Sequence, residues 1–100
     1  MLSFQESHNR QKFIEKLDLH MGQHKFKKLN QVYMWEMFMI GYHKESNTNL
    51  LSSKVTTHYK ACGMAKTLGN KGGIQMYFRY NGYLFNFIGC HLVHGPERAK

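Results

Sequence analysis

The sequence predicts an α/β (α+β) fold in which one helix packs on a mostly antiparallel sheet. An Asn-Gly pair at 81–82 separates two segments of alternating apolar and polar residues, and an amphipathic segment near the N-terminus has helical spacing. Several further apolar segments have the length of strands. The predicted order of strand, helix, strand, strand and hairpin places the helix on one face of an antiparallel sheet.

The segments that flank Asn81 and Gly82 are predicted to form a β-hairpin. Both central residues of a type I′ turn need a positive φ, which asparagine and glycine tolerate. A two-residue loop at this point sets the cross-strand pairs Tyr80–Tyr83, Phe78–Phe85 and Met76–Phe87. One face of the hairpin is predicted to lie in the core, and it carries Ile74, Met76, Phe78, Tyr80, Tyr83, Phe85 and Phe87.

The N-terminal part of the chain is predicted to contain a short strand and a helix. Residues 1–6 are mostly apolar, and a strand here would present Gln5 and Glu6 at its end. A helix is predicted over residues 8–21, with a stop at Gly22. Its apolar stripe consists of Phe13, Ile14, Leu17 and Met21.

The middle of the chain is predicted to add two strands. Residues 24–28 form a basic link, and residues 31–42 are almost continuously apolar, which favours one buried strand. Residues 43–53 are polar and rich in asparagine, which is typical of a loop. Residues 54–62 alternate in polarity, as a strand does.

Length and composition limit the class of protein. One hundred residues form one domain at most, and 42% hydrophobic content argues against disorder. The sequence contains neither an apolar run long enough to cross a bilayer nor the features of a signal peptide. Cys62 and Cys90 are too few for a disulfide scaffold, so we expect reduced thiols and a cytoplasmic location.

The charge balance favours anionic partners. Fourteen Lys and Arg residues against six Asp and Glu give a net charge of +8. Nucleic acid, anionic lipid headgroups at the cytosolic membrane face and phosphorylated small molecules all fit this charge. Charge alone does not choose among them, and the excess lysine could equally serve only to keep the surface soluble.

One run of motifs has a specific pattern: TLGNKGG at 67–73, an aromatic-rich strand, the Asn-Gly turn, a second strand and Cys-His-Leu at 90–92. This pattern resembles the inositol polyphosphate 5-phosphatases, which belong to the endonuclease/exonuclease/phosphatase superfamily. The resemblance is tight over residues 67–92 and looser before them. It implies that residues 1–100 are the N-terminal part of a catalytic domain, a partial four-layer α/β sandwich.

The resemblance also implies roles for two residues. Gln5-Glu6 is similar to the family's Gln-Glu, whose glutamate binds Mg²⁺, a metal that takes one or two carboxylates together with water and phosphate oxygens. His91 is similar to an active-site histidine that hydrogen-bonds the scissile phosphate. Without the resemblance, Glu6 would be interpreted as a surface acid and His91 as a structural histidine. With it, a shared sheet is expected to bring both side chains to one phosphorylated ligand.

The glycine-rich segment at 69–73 supplies two further candidates. Its backbone N–H groups and Lys71 could hold a phosphate, or the segment could simply be a tight turn before a strand. It is not a P-loop, because no Ser or Thr follows the lysine, and it does not fit GxGxxG. Asn70 and Lys71 are therefore candidate substrate-binding residues.

Two departures from the family matter. Gly89 stands where the family usually has asparagine, and the family's later motifs, including an Asp-His pair that activates water, are not in these 100 residues. We therefore expect the isolated chain to hydrolyse little or nothing. It should also expose sheet edges and apolar surface.

The resemblance predicts a hydrolase: a phosphatase that uses Mg²⁺ to cleave a phosphate monoester in a phosphoinositide or a soluble inositol polyphosphate. One alternative is a non-catalytic fragment whose basic surface binds anionic membrane or nucleic acid. Another is a nuclease-type member of the same superfamily, which the TLGNKGG turn argues against. The sequence does not decide between a soluble substrate and a lipid.

Overall fold

The computed structural model describes residues 4–61 and 71–91. Its elements, in chain order, are α1 (Phe4–Gln23), β1 (Phe26–Met34), β2 (Met37–Lys44), a 3₁₀ helix (Glu45–Leu50), β3 (Thr56–Ala61), β4 (Gly72–Tyr80) and β5 (Tyr83–His91). The strands form two antiparallel sheets, β1–β2 and β3–β4–β5. The prediction of an α+β fold with one helix on antiparallel strands is confirmed.

Helix α1 is longer than predicted at both ends. It begins at Phe4, so the predicted strand at 1–6 is wrong for Gln5 and Glu6, while residues 1–3 lie outside the described ranges. The first turn carries Glu6, and a carboxylate there is favoured by the positive end of the helix dipole. Gly22 does not end the helix; the chain turns away at Lys25, whose φ is 67°.

The prediction of one buried strand over residues 31–42 is wrong, because the chain reverses at Trp35 and Glu36. Strands β1 and β2 form a hairpin in which Met34 pairs with Met37. Trp35 has a φ of 57°, a conformation that tryptophan seldom adopts. This turn also lacks the Asn-Gly pair that is typical of a two-residue hairpin loop. Both strands are apolar, so the sequence shows no break between them. The predicted basic link at 24–28 contributes its last three residues to β1.

The hairpin at Asn81 and Gly82 has the predicted register. Tyr80 pairs with Tyr83, and both turn residues have positive φ, 53° and 84°. The strand predicted at 54–62 is present as Thr56–Ala61, and residue 62 lies outside the described ranges. The predicted loop at 43–53 is instead the end of β2 followed by the 3₁₀ helix.

Alternate side chains of β1 face different layers. Val32 and Met34 are buried in a cluster with Ile74 of β4. Tyr33 lies between them in sequence and faces the opposite side, where the Arg10 guanidinium of α1 is 4.0 Å from its ring centroid. The β1–β2 sheet is therefore a middle layer, with α1 on one side and β3–β4–β5 on the other.

Among the strands of residues 4–61 and 71–91, β5 lies at one edge of its sheet. The β4 side chains predicted to be in the core are buried: Ile74, Met76 and Phe78. The prediction that Tyr83, Phe85 and Phe87 share this core is wrong, because they are 67%, 39% and 48% exposed. The two-stranded β1–β2 layer covers β4 but is too narrow to cover β5 as well. Within the described part of the chain, no helix is long and apolar enough to span a membrane.

Candidate functional site

Lys71 and His91 meet at one end of the β4–β5 hairpin. The register that starts at Asn81-Gly82 places Gly72 opposite His91, and the Nζ atom of Lys71 lies 3.1 Å from Nε2 of His91. A charged ammonium group only donates hydrogen bonds, so Nε2 accepts and Nδ1 carries the ring proton in this arrangement. Both side chains remain accessible at the end of the sheet. We call these two residues the Lys71–His91 pair.

Gly72 allows the chain to make this approach. Its φ is 144°, which L side chains rarely adopt, and a Cβ atom there would lie 2.0 Å from the carbonyl oxygen of Lys60. Only glycine therefore fits between β3 and the Lys71–His91 pair. Gly72 and Gly73 are the first residues of β4, whereas Gly69 and Asn70 lie outside the described ranges. The candidate role of Asn70 stays a prediction.

Glu6 lies in α1, not at the end of a strand, so no shared sheet joins it to His91. One turn further along α1, Nη1 of Arg10 donates a hydrogen bond of 2.6 Å to the carbonyl oxygen of Trp35. Trp35 in turn packs against the cluster that contains Ile74, close to Gly72 in β4. Glu6 and the Lys71–His91 pair thus lie toward the same end of the molecule, with the β1–β2 layer between them.

The fit of a metal ion can be judged from the donor groups. In residues 4–61 and 71–91, no three His, Cys, Asp or Glu side chains are grouped so that they could hold one. That donor set does not fit structural zinc, which takes four protein ligands. One carboxylate ligand suffices for Mg²⁺, because this ion keeps several waters and takes substrate phosphate oxygens, and Glu6 offers such a ligand.

A second polar cluster, which the sequence did not indicate, joins α1 to the β1–β2 sheet. Asp18 accepts hydrogen bonds from Nζ of Lys28 at 2.8 Å and from the hydroxyl of Tyr42 at 2.5 Å. Desolvation alone would raise the pKa of the Asp18 carboxyl, but these two hydrogen bonds and the charge of Lys28 outweigh it and hold the pKa below its usual value. Desolvation and the neighbouring carboxylate raise the pKa of Tyr42. This cluster fastens the helix to the sheet.

Three exposed lysines lie at the end of the molecule opposite the Lys71–His91 pair. Strand β2 packs on β4 and β5: Gly41 lies beside Met76, and Met39 lies beside Gly89. At the far end, Nδ1 of His43 lies 3.3 Å from the Tyr80 hydroxyl, next to the Asn81-Gly82 turn. Lys25, Lys27 and Lys44 cluster around that end, which we call the lysine end.

The sequence matches a known family along nearly its whole length. Residues 2–100 match the family described as "Endonuclease/Exonuclease/phosphatase family 2". The chain is 36% identical over 66 residues to the "Phosphatidylinositol 3,4,5-trisphosphate 5-phosphatase 2" of Mus musculus and of Homo sapiens. It is 33% identical over 73 residues to the "Phosphatidylinositol 3,4,5-trisphosphate 5-phosphatase 1" of Xenopus laevis.

These relatives are much longer than this chain. The matches cover 66% and 73% of this chain but only 5% and 7% of the mouse and frog proteins. The family match and the names of the relatives confirm the resemblance to the inositol polyphosphate 5-phosphatases. Because the family match extends over residues 2–100, this chain belongs to the endonuclease/exonuclease/phosphatase family 2.

Proposed function

We propose that this chain provides part of a phosphoinositide 5-phosphatase, which hydrolyses a phosphate monoester with the help of Mg²⁺. The observation that carries the proposal is the Lys71–His91 pair at the end of β4 and β5. The proposal is supported by the family match and by relatives whose names specify a 5-phosphatase of a phosphorylated inositol lipid.

The Lys71–His91 pair is proposed to hold the phosphoryl group. In hydrolysis, a water oxygen bonds to phosphorus, the ester P–O bond breaks, and the inositol oxygen leaves with a proton. Hydrogen-bond donors at fixed positions stabilise the negative charge on the phosphoryl oxygens in the transition state. Lys71 can turn from Nε2 of His91 to such an oxygen, and Nε2, once protonated, becomes a second donor to it.

Glu6 is proposed to hold the magnesium ion. When bound, Mg²⁺ supplies positive charge that neutralises phosphoryl oxygens. Glu6 has the hard oxygen ligand that this ion takes. In this structure the β1–β2 layer lies between Glu6 and the Lys71–His91 pair, so a metal ion on Glu6 would not contact a phosphate held by the pair. Phosphate binding by the pair and metal binding by Glu6 are therefore measured one at a time, and their joint action is proposed only for the longer protein that contains this sequence.

The first experiment measures binding, since the 100-residue chain alone is expected to hydrolyse little. A soluble inositol trisphosphate that carries a 5-phosphate is titrated into the chain, and binding is followed by NMR shifts of the β4 and β5 amides. Removing one charged donor with Lys71→Met, or the ring with His91→Asn, should weaken binding about tenfold. Lys27→Met removes one charge from the lysine end and is the matched control.

The outcomes separate the hypotheses. Equal loss of affinity in Lys71→Met and Lys27→Met would mean that net charge alone binds the ligand, and the assigned site would be wrong. Release of inorganic phosphate with Mg²⁺, and its loss with EDTA, tests turnover in the longer protein that contains this sequence. Glu6→Gln should raise the Mg²⁺ concentration needed for half-maximal turnover, without affecting phosphate binding by the isolated chain.

A second candidate function is non-catalytic contact with anionic membrane, and the lysine end favours it. Lys25, Lys27 and Lys44 are exposed, and each lysine close to an anionic surface contributes roughly 1 kcal/mol of attraction. Sedimentation with vesicles containing phosphatidylserine tests this directly. Lys25→Met with Lys27→Met should release the chain, whereas Lys71→Met should not.

A further inference from the structure

Two histidines lie one turn apart where α1 ends. His20 is in the last turn of the helix, and His24 follows Gln23, the last helical residue. Residues four apart on a helix lie on the same side, so their side chains are neighbours. The two ring centroids are 4.4 Å apart, with an angle of 42° between the ring planes. Both side chains are exposed, and we call them the histidine pair.

The tautomer of His24 follows from its hydrogen bond to the backbone. Its Nδ1 atom lies 2.9 Å from the carbonyl oxygen of His20. A carbonyl oxygen only accepts hydrogen bonds, so Nδ1 carries the proton, and the lone pair of the neutral ring is on Nε2. Histidines that bind metals usually donate their other N–H to a carbonyl or a carboxylate, which fixes the orientation of the ring. His24 is therefore held in the tautomer that a metal ligand needs.

The same hydrogen bond also has a structural role, because the last carbonyl groups of a helix lack partners within the helix. A histidine near the C-terminus can satisfy such a carbonyl, and this role does not involve Nε2. The negative end of the helix dipole favours a cation here. Lys25, Lys44 and Glu45 line the cavity beside His24, and their net positive charge opposes a cation. Coordination by imidazole, rather than charge, must therefore provide the affinity for a metal ion.

The separation of the two rings indicates which metal ions fit between them. An ion bound about 2.1 Å from an imidazole nitrogen lies about 3.2 Å from the ring centroid. Two rings whose centroids are 4.4 Å apart then subtend an angle of about 90° at the ion. Tetrahedral zinc would need centroids about 5.3 Å apart. Ligands at right angles are typical of the square-planar or tetragonal coordination of Cu²⁺ and Ni²⁺.

We propose that the histidine pair binds a divalent transition-metal ion of the Cu²⁺ and Ni²⁺ class, with two imidazole nitrogens in adjacent positions on the ion. In residues 4–61 and 71–91, no third His, Cys, Asp or Glu is grouped with them, so water or a second molecule takes the remaining positions. The contacts that build this site lie within residues 20–24. It is separate from Glu6, which lies about 20 Å away along the axis of α1 and offers the oxygen ligand that Mg²⁺ prefers.

Metal titrations test the site. Cu²⁺ is paramagnetic, so a substoichiometric amount should broaden the NMR signals of the His20 and His24 rings before those of the other histidines. Calorimetry should show that Ni²⁺ binds the chain more tightly than Zn²⁺ does, and about a tenfold excess of Mg²⁺ should not displace it. Because each substitution removes one of two ligands, His20→Gln and His24→Gln should each weaken Ni²⁺ binding at least about tenfold.

Two variants are matched controls. His8→Gln makes the same substitution at another exposed histidine of α1, where Lys12 rather than a histidine is four residues further on, and it should leave Ni²⁺ binding unchanged. Gly22→His combined with His24→Gln keeps the number of histidines but places them two residues apart, where side chains do not face each other. This double variant should bind Ni²⁺ as weakly as His24→Gln. A Cβ atom at Gly22 meets no atom within 4 Å, so the variant should fold.

Urea unfolding separates metal binding from the structural role of the hydrogen bond. An ion that binds only the folded chain raises the urea midpoint, so about 1 mM Ni²⁺ should raise it in the natural chain and in His8→Gln but not in His24→Gln. If the pair had only the structural role, Ni²⁺ would shift the midpoint equally in the natural chain and in His24→Gln. That result, equal Ni²⁺ affinity in the double variant and the natural chain, or tighter binding of Zn²⁺ than of Ni²⁺ would each overturn the proposal.

Discussion

Replacing Gly72 by alanine should destabilise the fold more than any other alanine substitution at a glycine of the β3–β4–β5 sheet. Two costs add at this position. The φ of 144° is strained for an L residue by about 1–3 kcal/mol. The new Cβ would also lie 2.0 Å from the carbonyl oxygen of Lys60, so β3 and β4 must separate there and lose backbone hydrogen bonds worth about 1 kcal/mol each. We expect a total loss of about 3–5 kcal/mol in the free energy of unfolding.

Two other glycines separate these costs. Gly82→Ala has the strain alone, because its φ is 84° and no atom lies within 4 Å of the new Cβ, and it should cost about 1 kcal/mol. Gly73→Ala has neither a positive φ nor a close contact, its nearest atom being 3.4 Å away, and should cost less than about 1 kcal/mol. Urea unfolding at equal protein concentration measures all three. If Gly72→Ala were no less stable than Gly82→Ala, the close approach of β3 to Gly72 would be wrong.

Three further substitutions test the packing of the layers. Asp18→Asn should lower the free energy of unfolding by about 1 kcal/mol at pH 7. Because the folded pKa of Asp18 is depressed, the contribution of its carboxylate is present above about pH 4 and is lost as the pH falls through the folded pKa. The difference between variant and natural chain in urea unfolding should therefore shrink at low pH. A difference that stays constant down to pH 3 would contradict that pKa. Met76→Ala, at a side chain that is 1% exposed, should cost about 2–5 kcal/mol, against less than about 1 for Leu19→Ala at 65% exposure. Arg10→Met should lower the melting temperature by removing the hydrogen bond to Trp35, and an unchanged value would show that this contact is not stabilising.

The hairpin at β4 and β5 could be predicted from the sequence because its signals are local. Asn81 and Gly82 determine the turn, and the register counted back from them places Gly72 opposite His91, which is where Lys71 meets the histidine. The β1–β2 hairpin could not be predicted in this way. Its turn contains Trp35 in a left-handed conformation, which is stabilised by tertiary contacts that include the hydrogen bond from Arg10, 25 residues away.

The wrong predictions about the burial of β5 and about a strand that ends at Glu6 have a different cause. Alternation along β5 correctly assigns the face of Phe85 and Phe87, but burial also requires a second layer wide enough to cover them. For residues 4–6, a few apolar side chains do not distinguish a strand from the first turn of a helix. The Asp18 cluster depends on Lys28 and Tyr42, which are brought together only by the packing of α1 on β1 and β2.

The opposition of the lysine end and the Lys71–His91 pair has a consequence for how this chain could meet its substrate. A nine-residue strand such as β4 is about 30 Å long, so the two ends are about that far apart. Docked end-on on a bilayer through Lys25, Lys27 and Lys44, the chain would hold His91 about 30 Å from the headgroups, in the aqueous phase. In that orientation the chain would bind two different molecules: an anionic membrane lipid at the lysine end, and a dissolved phosphate ester at the Lys71–His91 pair.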